Sequence, residues 1–200
     1  MTRLCKVTLA LLGLGVLAGA GAIMWIAIRG VSARDEPTGL EAVIARAVRR
    51  LAIPTSHRKL TSPVPASAEV LAHARAHFAD HCALCHANDG SGQTEVGRHL
   101  YPKAPDMRLV ATQSLTDGEL FAIIRNGVRL TGMPAWGDDS EEDGHETWGL
   151  VQFIRHLPQI TPAEVEGMRA LNPKTQGELD EARRIEEFLG GGGGAPSRKE

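Results

Sequence analysis

The sequence predicts an all-α protein, and three observations predict it. Leu71, Ala74, Phe78 and Cys82 recur at helical spacing and define one apolar stripe. Thr-x-x-Glu capping boxes at Thr38, Thr116 and Thr161 mark three helix starts, because the Thr side chain and the Glu side chain satisfy each other's backbone N–H groups. From Val7 to Ile28 runs an uncharged stretch of 22 residues, enough as a helix to cross a hydrocarbon core of about 30 Å. Nowhere does the chain offer a βαβ pattern.

Residues 1–29 are the first segment. Met1 to Lys6 is short and basic, and the apolar run follows. Ala18-Gly19-Ala20 has the small residues of a signal-peptidase site, yet the run continues through Ile23-Met24-Trp25-Ile26-Ala27-Ile28. A cleaved signal's apolar region is roughly half this long, so the expectation is an uncleaved, single-pass anchor with Trp25 near an interface. Basic residues flank both ends, and charge alone does not orient it. Cys5 lacks a lipoprotein-type leader before it and reads as an unpaired thiol.

Residues 30–67 read as a basic amphipathic neck and linker. Behind the Thr38 capping box, Leu40, Val43, Ile44, Ala47, Val48 and Leu51 fall on one helical face, with Arg46, Arg49 and Arg50 opposite, and Pro54 closes the segment. Such a helix has three resting places: anionic lipid, the domain that follows, or a partner protein. Residues 55–67, with Pro63 and Pro65 among Ser and Thr, read as linker. The whole chain has a formal net charge of −2, which gives no basic footprint for nucleic acid. That total conceals +4 over residues 29–60 and −5 over residues 70–158.

Residues 68–158 hold the chemistry. The apolar stripe leads into Cys82-Ala83-Leu84-Cys85-His86, a run that reads as a c-type haem attachment site. Two thiols three positions apart on a helical turn can each add to a vinyl group of one porphyrin, and the adjacent imidazole becomes the proximal iron ligand. A Cys-x-x-Cys pair alone also fits a thiol–disulfide site or half of a zinc site. The first calls for a βαβ setting and the second for another Cys/His pair; the one remaining cysteine is Cys5. His73, His77 and His81 form a second stripe, which with no carboxylate or thiol joining it reads as a solvated face rather than a metal site. Residues 87–113, with Gly90, Gly92, Gly97, Pro102 and Pro105, are expected to wrap the cofactor. A carbonyl within 100–105 is the expected acceptor for the other ring nitrogen of His86. Arg98, Lys103 and Arg108 are candidates for the haem propionates or plain surface charges.

After the second capping box, Leu120, Phe121, Ile124 and Val128 give a buried helix face that ends at Asn126-Gly127, with Leu115 and Leu120 placed as a hydrophobic staple. Thr131-Gly132-Met133-Pro134 follows. A methionine is usually core filling, but Met133 lies between Gly and Pro, off any apolar stripe, 47 residues past His86. It is the expected distal thioether ligand. Asp138 to Asp143 reads as an acidic loop, and His145 to Leu157 as an aromatic-rich helix. Residues 159–200 are expected to be a helical, Gly-rich tail outside this domain.

With both motifs and the closing helix in hand, residues 68–158 resemble a class I cytochrome c, more narrowly the membrane-anchored mono-haem cytochromes c of bacteria. Cys82, Cys85, His86 and Met133 match that family's haem-binding positions. Ala74 and Phe78 stand where it puts a small residue and an aromatic, with Ala in place of Gly. Leu150 and Phe153 match its last helix, which crosses the first at the small residue. The resemblance implies the class I cytochrome c fold, one covalently attached haem c with His86 and Met133 on the iron, and one-electron transfer to redox partner proteins. No small-molecule substrate is implied, so the chain is expected to be an electron carrier rather than an enzyme. Two other classes stand beside it: a haem subunit of a larger membrane oxidoreductase, and a gas-binding sensor in which Met133 is displaced. Haem attachment in similar systems occurs outside the bacterial cytoplasmic membrane, so the expected location of the haem domain is the periplasm.

Overall fold

The computed structural model describes residues 2–138, 140–174 and 176–189, and the chain divides into two units, after Pro37. The first is built on one helix, α1 (Arg3–Arg29, 27 residues), roughly 40 Å long at 1.5 Å per residue. Thr2 caps its start by accepting from the Cys5 N–H, and Gly30, at φ +72°, ends it. Every one of its side chains is exposed, and it is long and apolar enough to cross a membrane.

The second unit is helical, with no strand among the described residues. Its elements are α2 (Gly39–Ala52), α3 (Thr55–Arg58), α4 (Ala68–His77), a π-helical turn (Phe78–Cys82), α5 (Ala83–His86), α6 (Glu95–His99), α7 (Val110–Gln113), α8 (Asp117–Asn126), α9 (Glu141–His156), a 3-10 turn (Leu157–Gln159), α10 (Pro162–Arg169) and α11 (Gln176–Leu189). All three predicted capping boxes close, at Thr38, Thr116 and Thr161. The all-α expectation is met.

The core lies where α4 crosses α9. Small residues allow the approach: a methyl on Gly149 would stand 3.6 Å from the Ala74 Cβ. Phe78 and Phe153, each 1% exposed, meet beside the crossing with ring centroids 5.1 Å apart. Helix α8 closes a third side through Leu120, Phe121 and Ile124, and Phe121 stacks on Trp148 at 4.2 Å. Burying one such aromatic is worth several kcal/mol, since Phe-to-Ala changes in cores cost about 3–5 kcal/mol. Arg155 of α9 locks the entry to α8: it pairs with Asp117 at 2.8 Å and donates to the Gln113 and Leu115 carbonyls.

Three expectations change. Residues 55–67 do not hang free as a linker: Val64 is buried in the core and the Gln152 amide donates to its carbonyl. The α3 stretch lies so close to α8 that a Cβ on Gly118 would meet the His57 carbonyl oxygen at 1.8 Å. Residues 159–200 do not all lie outside the domain either. Met168 is fully buried in the core, and the Asn172 amide donates to the Ala79 carbonyl and to Asn88. Apolar and amide side chains beyond Leu157 thus complete a core that the first helices leave open. Lastly, α9 starts at Glu141, inside the expected acidic loop, because Ser140 accepts from the Asp143 N–H and acidic residues suit a helix start. Asp139 and the Gly190–Gly194 run lie outside the described residues.

Candidate functional site

Helix α4 does not run straight into the Cys-x-x-Cys-His motif. The π-helical turn inserts one extra residue between them, with the Ala83 N–H reaching back to the Phe78 carbonyl. Such turns cluster at functional sites, because they re-aim the side chains that follow. Here the turn leaves Phe78 and Ala79 buried while Cys82 and Cys85 are each partly exposed, unbonded thiols. Burial pushes the Cys82 thiol up to about 12, with the neighbouring Cys85 adding to it, and raises Cys85 as well. Both are thiols, not thiolates, at neutral pH.

His86 ends α5 and is 8% exposed. Burial drives its pKa down to about 4, against an opposing pull from the Pro105 carbonyl. At neutral pH the ring is therefore uncharged, the form that binds a metal. Its Nδ1 is shut off from solvent and lacks a full hydrogen bond, while the Pro105 carbonyl favours the protonated ring. That carbonyl belongs to the stretch expected to orient the ring.

The loop after His86 folds tightly round it. The Gly92 N–H donates to the His86 carbonyl at 2.8 Å, and the Met107 N–H to the Gly90 carbonyl at 2.8 Å. Gly92 sits at φ +72°, and a side chain there would strike the Ala104 carbonyl. At Gly97 an added Cβ would lie 2.1 Å from the Cys85 carbonyl oxygen, to which the Thr94 hydroxyl also donates. Helices α6 and α7 are one-turn pieces within this wrap. Arg108 is already committed, to Asp106 at 2.7 Å and Asp89 at 2.9 Å, so its work is closing the loop rather than meeting propionates. Arg98 pairs with Glu95 at 3.1 Å on the surface.

Met133 lies in a separate loop pinned to the end of α8. The Val128 N–H donates to the Met133 carbonyl at 3.0 Å, and the Met133 N–H donates to the Thr131 hydroxyl. Gly127, at φ +63°, has no room for a Cβ, which would stand 2.5 Å from the Pro134 backbone. Beyond it the Trp136 and Gly137 N–H groups donate to the Ile124 and Arg125 carbonyls. One contact joins this loop to the approach to the cysteine motif, and a second joins it to the wrapping loop. Trp136 meets His81, the residue before Cys82, edge-on at 5.5 Å. Gly132 lies under the Leu100 side chain.

Met107 is buried in the core, and His99 is a surface side chain against the Glu95 carbonyl. The histidine stripe is only partly solvated: His77 packs beside Glu146 at 3.4 Å and against His81 at 4.7 Å. No group of three potential metal ligands assembles among the described residues.

Gln113 went unnoticed in the sequence, yet its amide donates to both the Met107 and Ile154 carbonyls and so ties the wrapping loop to α9. Asn172 does the same for the turn after His86. A polar residue flanked by turn signals carries no mark of such a long-range bond.

The donor set fits a c-type haem: two unbonded thiols on consecutive turns, a neutral buried imidazole, and a glycine-lined wrap. Residues 69–154 match the family described as "Cytochrome C oxidase, cbb3-type, subunit III". No curated protein matches the chain. The match spans the core crossing, the cysteine motif and the Met133 loop, in an all-helical fold. Residues 69–154 are a class I c-type cytochrome domain, of a family that holds haem c covalently for electron transfer.

Proposed function

We propose that this protein is a one-electron carrier, with one haem c held through Cys82 and Cys85 and its iron ligated by His86 and Met133. When bound, the haem supplies a ferric–ferrous couple. The chain's own residues do the rest. His86 offers an imidazole kept neutral by burial. Met133 offers a thioether, which favours ferrous iron and raises the potential. Together they leave no open position for a substrate. The observation that carries this reading is the Met133 loop, which leaves α8, folds back to bond the Ile124 and Arg125 carbonyls of the same helix, and meets His81, the residue before the cysteine motif, through Trp136.

Helix α1 supports a single-pass anchor in the bacterial cytoplasmic membrane, with the haem domain in the periplasm, where redox partner proteins would meet it. Carbon monoxide added to the reduced protein tests the closed iron. Little spectral change at neutral pH is expected; rapid stoichiometric binding would replace this reading with that of a gas sensor. The family's printed description favours a second reading, a haem subunit of a larger membrane oxidoreductase. Extraction in mild detergent separates the two: a monomer that still reduces a soluble acceptor is a carrier, and a stable complex is not.

A further inference from the structure

Helix α2 is amphipathic in the inverse sense. Its tertiary contacts leave the apolar side free: the Tyr101 hydroxyl donates to the Glu41 carboxylate at the edge of that side, and Ala42 and Arg49, opposite it, are the residues of α2 that are partly buried. Burial lowers the Arg49 pKa, while Glu119 of α8 pulls it the other way. The apolar side is turned outward. Leu40, Val43, Ile44, Val48 and Leu51 are 72%, 55%, 52%, 56% and 82% exposed. At 100° per residue these five lie within one stripe, with Arg46 and Arg50 along one border, Glu41 at the other, bonded to Tyr101, and Ala42 and Arg49 diametrically opposite. A continuous exposed apolar stripe marks a binding surface. Resting on the neck's own domain, one of the places open to it from sequence, leaves that stripe uncovered.

We propose that the stripe is seated in the membrane interface, its side chains among the outer acyl chains and Arg46 and Arg50 on anionic headgroups. Two features select lipid as the occupant. The nine residues from Gly30 to Thr38 separate α2 from the apolar α1, a tether of at most about 30 Å, which keeps α2 within reach of any bilayer that α1 enters. The cationic border beside an apolar face is the charge pattern that anionic lipid complements. The inference rests on the anchor reading of α1. Its consequence is that α2 becomes a foot: because α2 runs into α3, which is fastened to α8 through Arg58, and is tied to the wrapping loop through Tyr101, seating the stripe holds the haem domain in one orientation instead of letting it swing on its tether.

The test uses the full haem-loaded chain carrying Cys5→Ser, one copy per nanodisc containing phosphatidylglycerol. Single cysteines report on the stripe (Val43→Cys and Leu51→Cys), the anchor (Val16→Cys) and exposed surface (Arg169→Cys). Each is reacted with a bulky membrane-impermeant maleimide, its rate normalised to that of the same variant in denaturant. Both stripe positions are so exposed that substitution removes little packing, and an unchanged haem spectrum verifies each variant. With the stripe sunk about 5–10 Å into the interface, Val43→Cys and Leu51→Cys react at least roughly tenfold more slowly than Arg169→Cys. Equal rates at all three, with Val16→Cys protected, overturn the lipid seat and leave the anchor standing. A reactive Val16→Cys overturns the anchor and the seat with it. Protection seen only with two copies per disc assigns the stripe to a second copy of the chain and overturns the lipid seat.

Discussion

Ala74 and Gly149 face each other across the α4–α9 crossing, with 3.6 Å between the Ala74 Cβ and the position of a Cβ on Gly149. The family resemblance leads one to look for glycine at position 74; here alanine stands there, and the glycine is on the opposite helix. The approach is therefore close but not saturated. Gly149→Ala fits at ordinary contact distance and removes a glycine from a helix interior, so it should stabilise the fold by about 0.5–1 kcal/mol. Ala74→Leu overfills the same spot and should cost about 1–3 kcal/mol. Denaturant unfolding of the two variants checks both signs.

The glycines of the wrapping loop are less forgiving. Gly97→Ala puts a Cβ 2.1 Å from the Cys85 carbonyl oxygen, and Gly92→Ala combines φ +72° with a clash on the Ala104 carbonyl. Each should cost about 1–3 kcal/mol and lower the fraction of chains that acquire covalent haem. Haem staining after acid extraction, set against total protein, gives that fraction. A full complement in both variants would mean that the loop conformation is not what presents the cysteine motif.

Within the neck, residues 54–60 meet α8 through a bare backbone approach, Gly118 on the His57 carbonyl, backed by the Thr116 hydroxyl donating to the Arg58 carbonyl. Gly118→Ala should undock residues 54–60 while leaving the core crossing intact. At a cost of about 1–3 kcal/mol, trypsin cleavage after Arg58 and Lys59 should accelerate roughly tenfold or more, measured against cleavage elsewhere in the domain.

Glu164 links α10 to the domain. The Thr161 N–H, chiefly, holds its carboxyl below the usual carboxylate range; partial burial opposes, and the Thr161 hydroxyl and His156 add to the lowering. A carboxyl whose folded pKa lies below its unfolded one contributes stability in full above the ordinary carboxylate range. That contribution is lost as pH falls through the folded value. Between about pH 5 and 3 the parent should therefore lose stability faster than Glu164→Gln. Thr161→Ala, which removes the cap, should cost about 1 kcal/mol at neutral pH. Thermal melts across that range decide it.

Local rules made much of this legible in the sequence. A capping box needs four residues, and all three formed. The cysteine motif needs five, and the helix stop at Gly127 needs one. What stayed hidden depends on residues far apart. The π-helical turn before Cys82 arises inside an unbroken helical stripe, with no proline or glycine to announce it. Asn172 reads as a helix breaker, and its bonds to Ala79 and Asn88 require knowing where the tail returns. Arg155 looks like any surface cation near a helix end, yet it holds two carbonyls and a carboxylate. On α2 the periodicity located the apolar stripe but not its direction, because outward-facing leucines look the same in sequence as buried ones.

The measurement closest to the central claim is a potentiometric titration followed by optical spectra, on the parent and on Met133→Ala. The account predicts a single one-electron step in the parent. In Met133→Ala it predicts covalent haem retained, a lower midpoint potential and iron opened to carbon monoxide. An unchanged midpoint with the iron still closed would contradict ligation by Met133, and with it the reading of this domain as a His86/Met133 electron carrier.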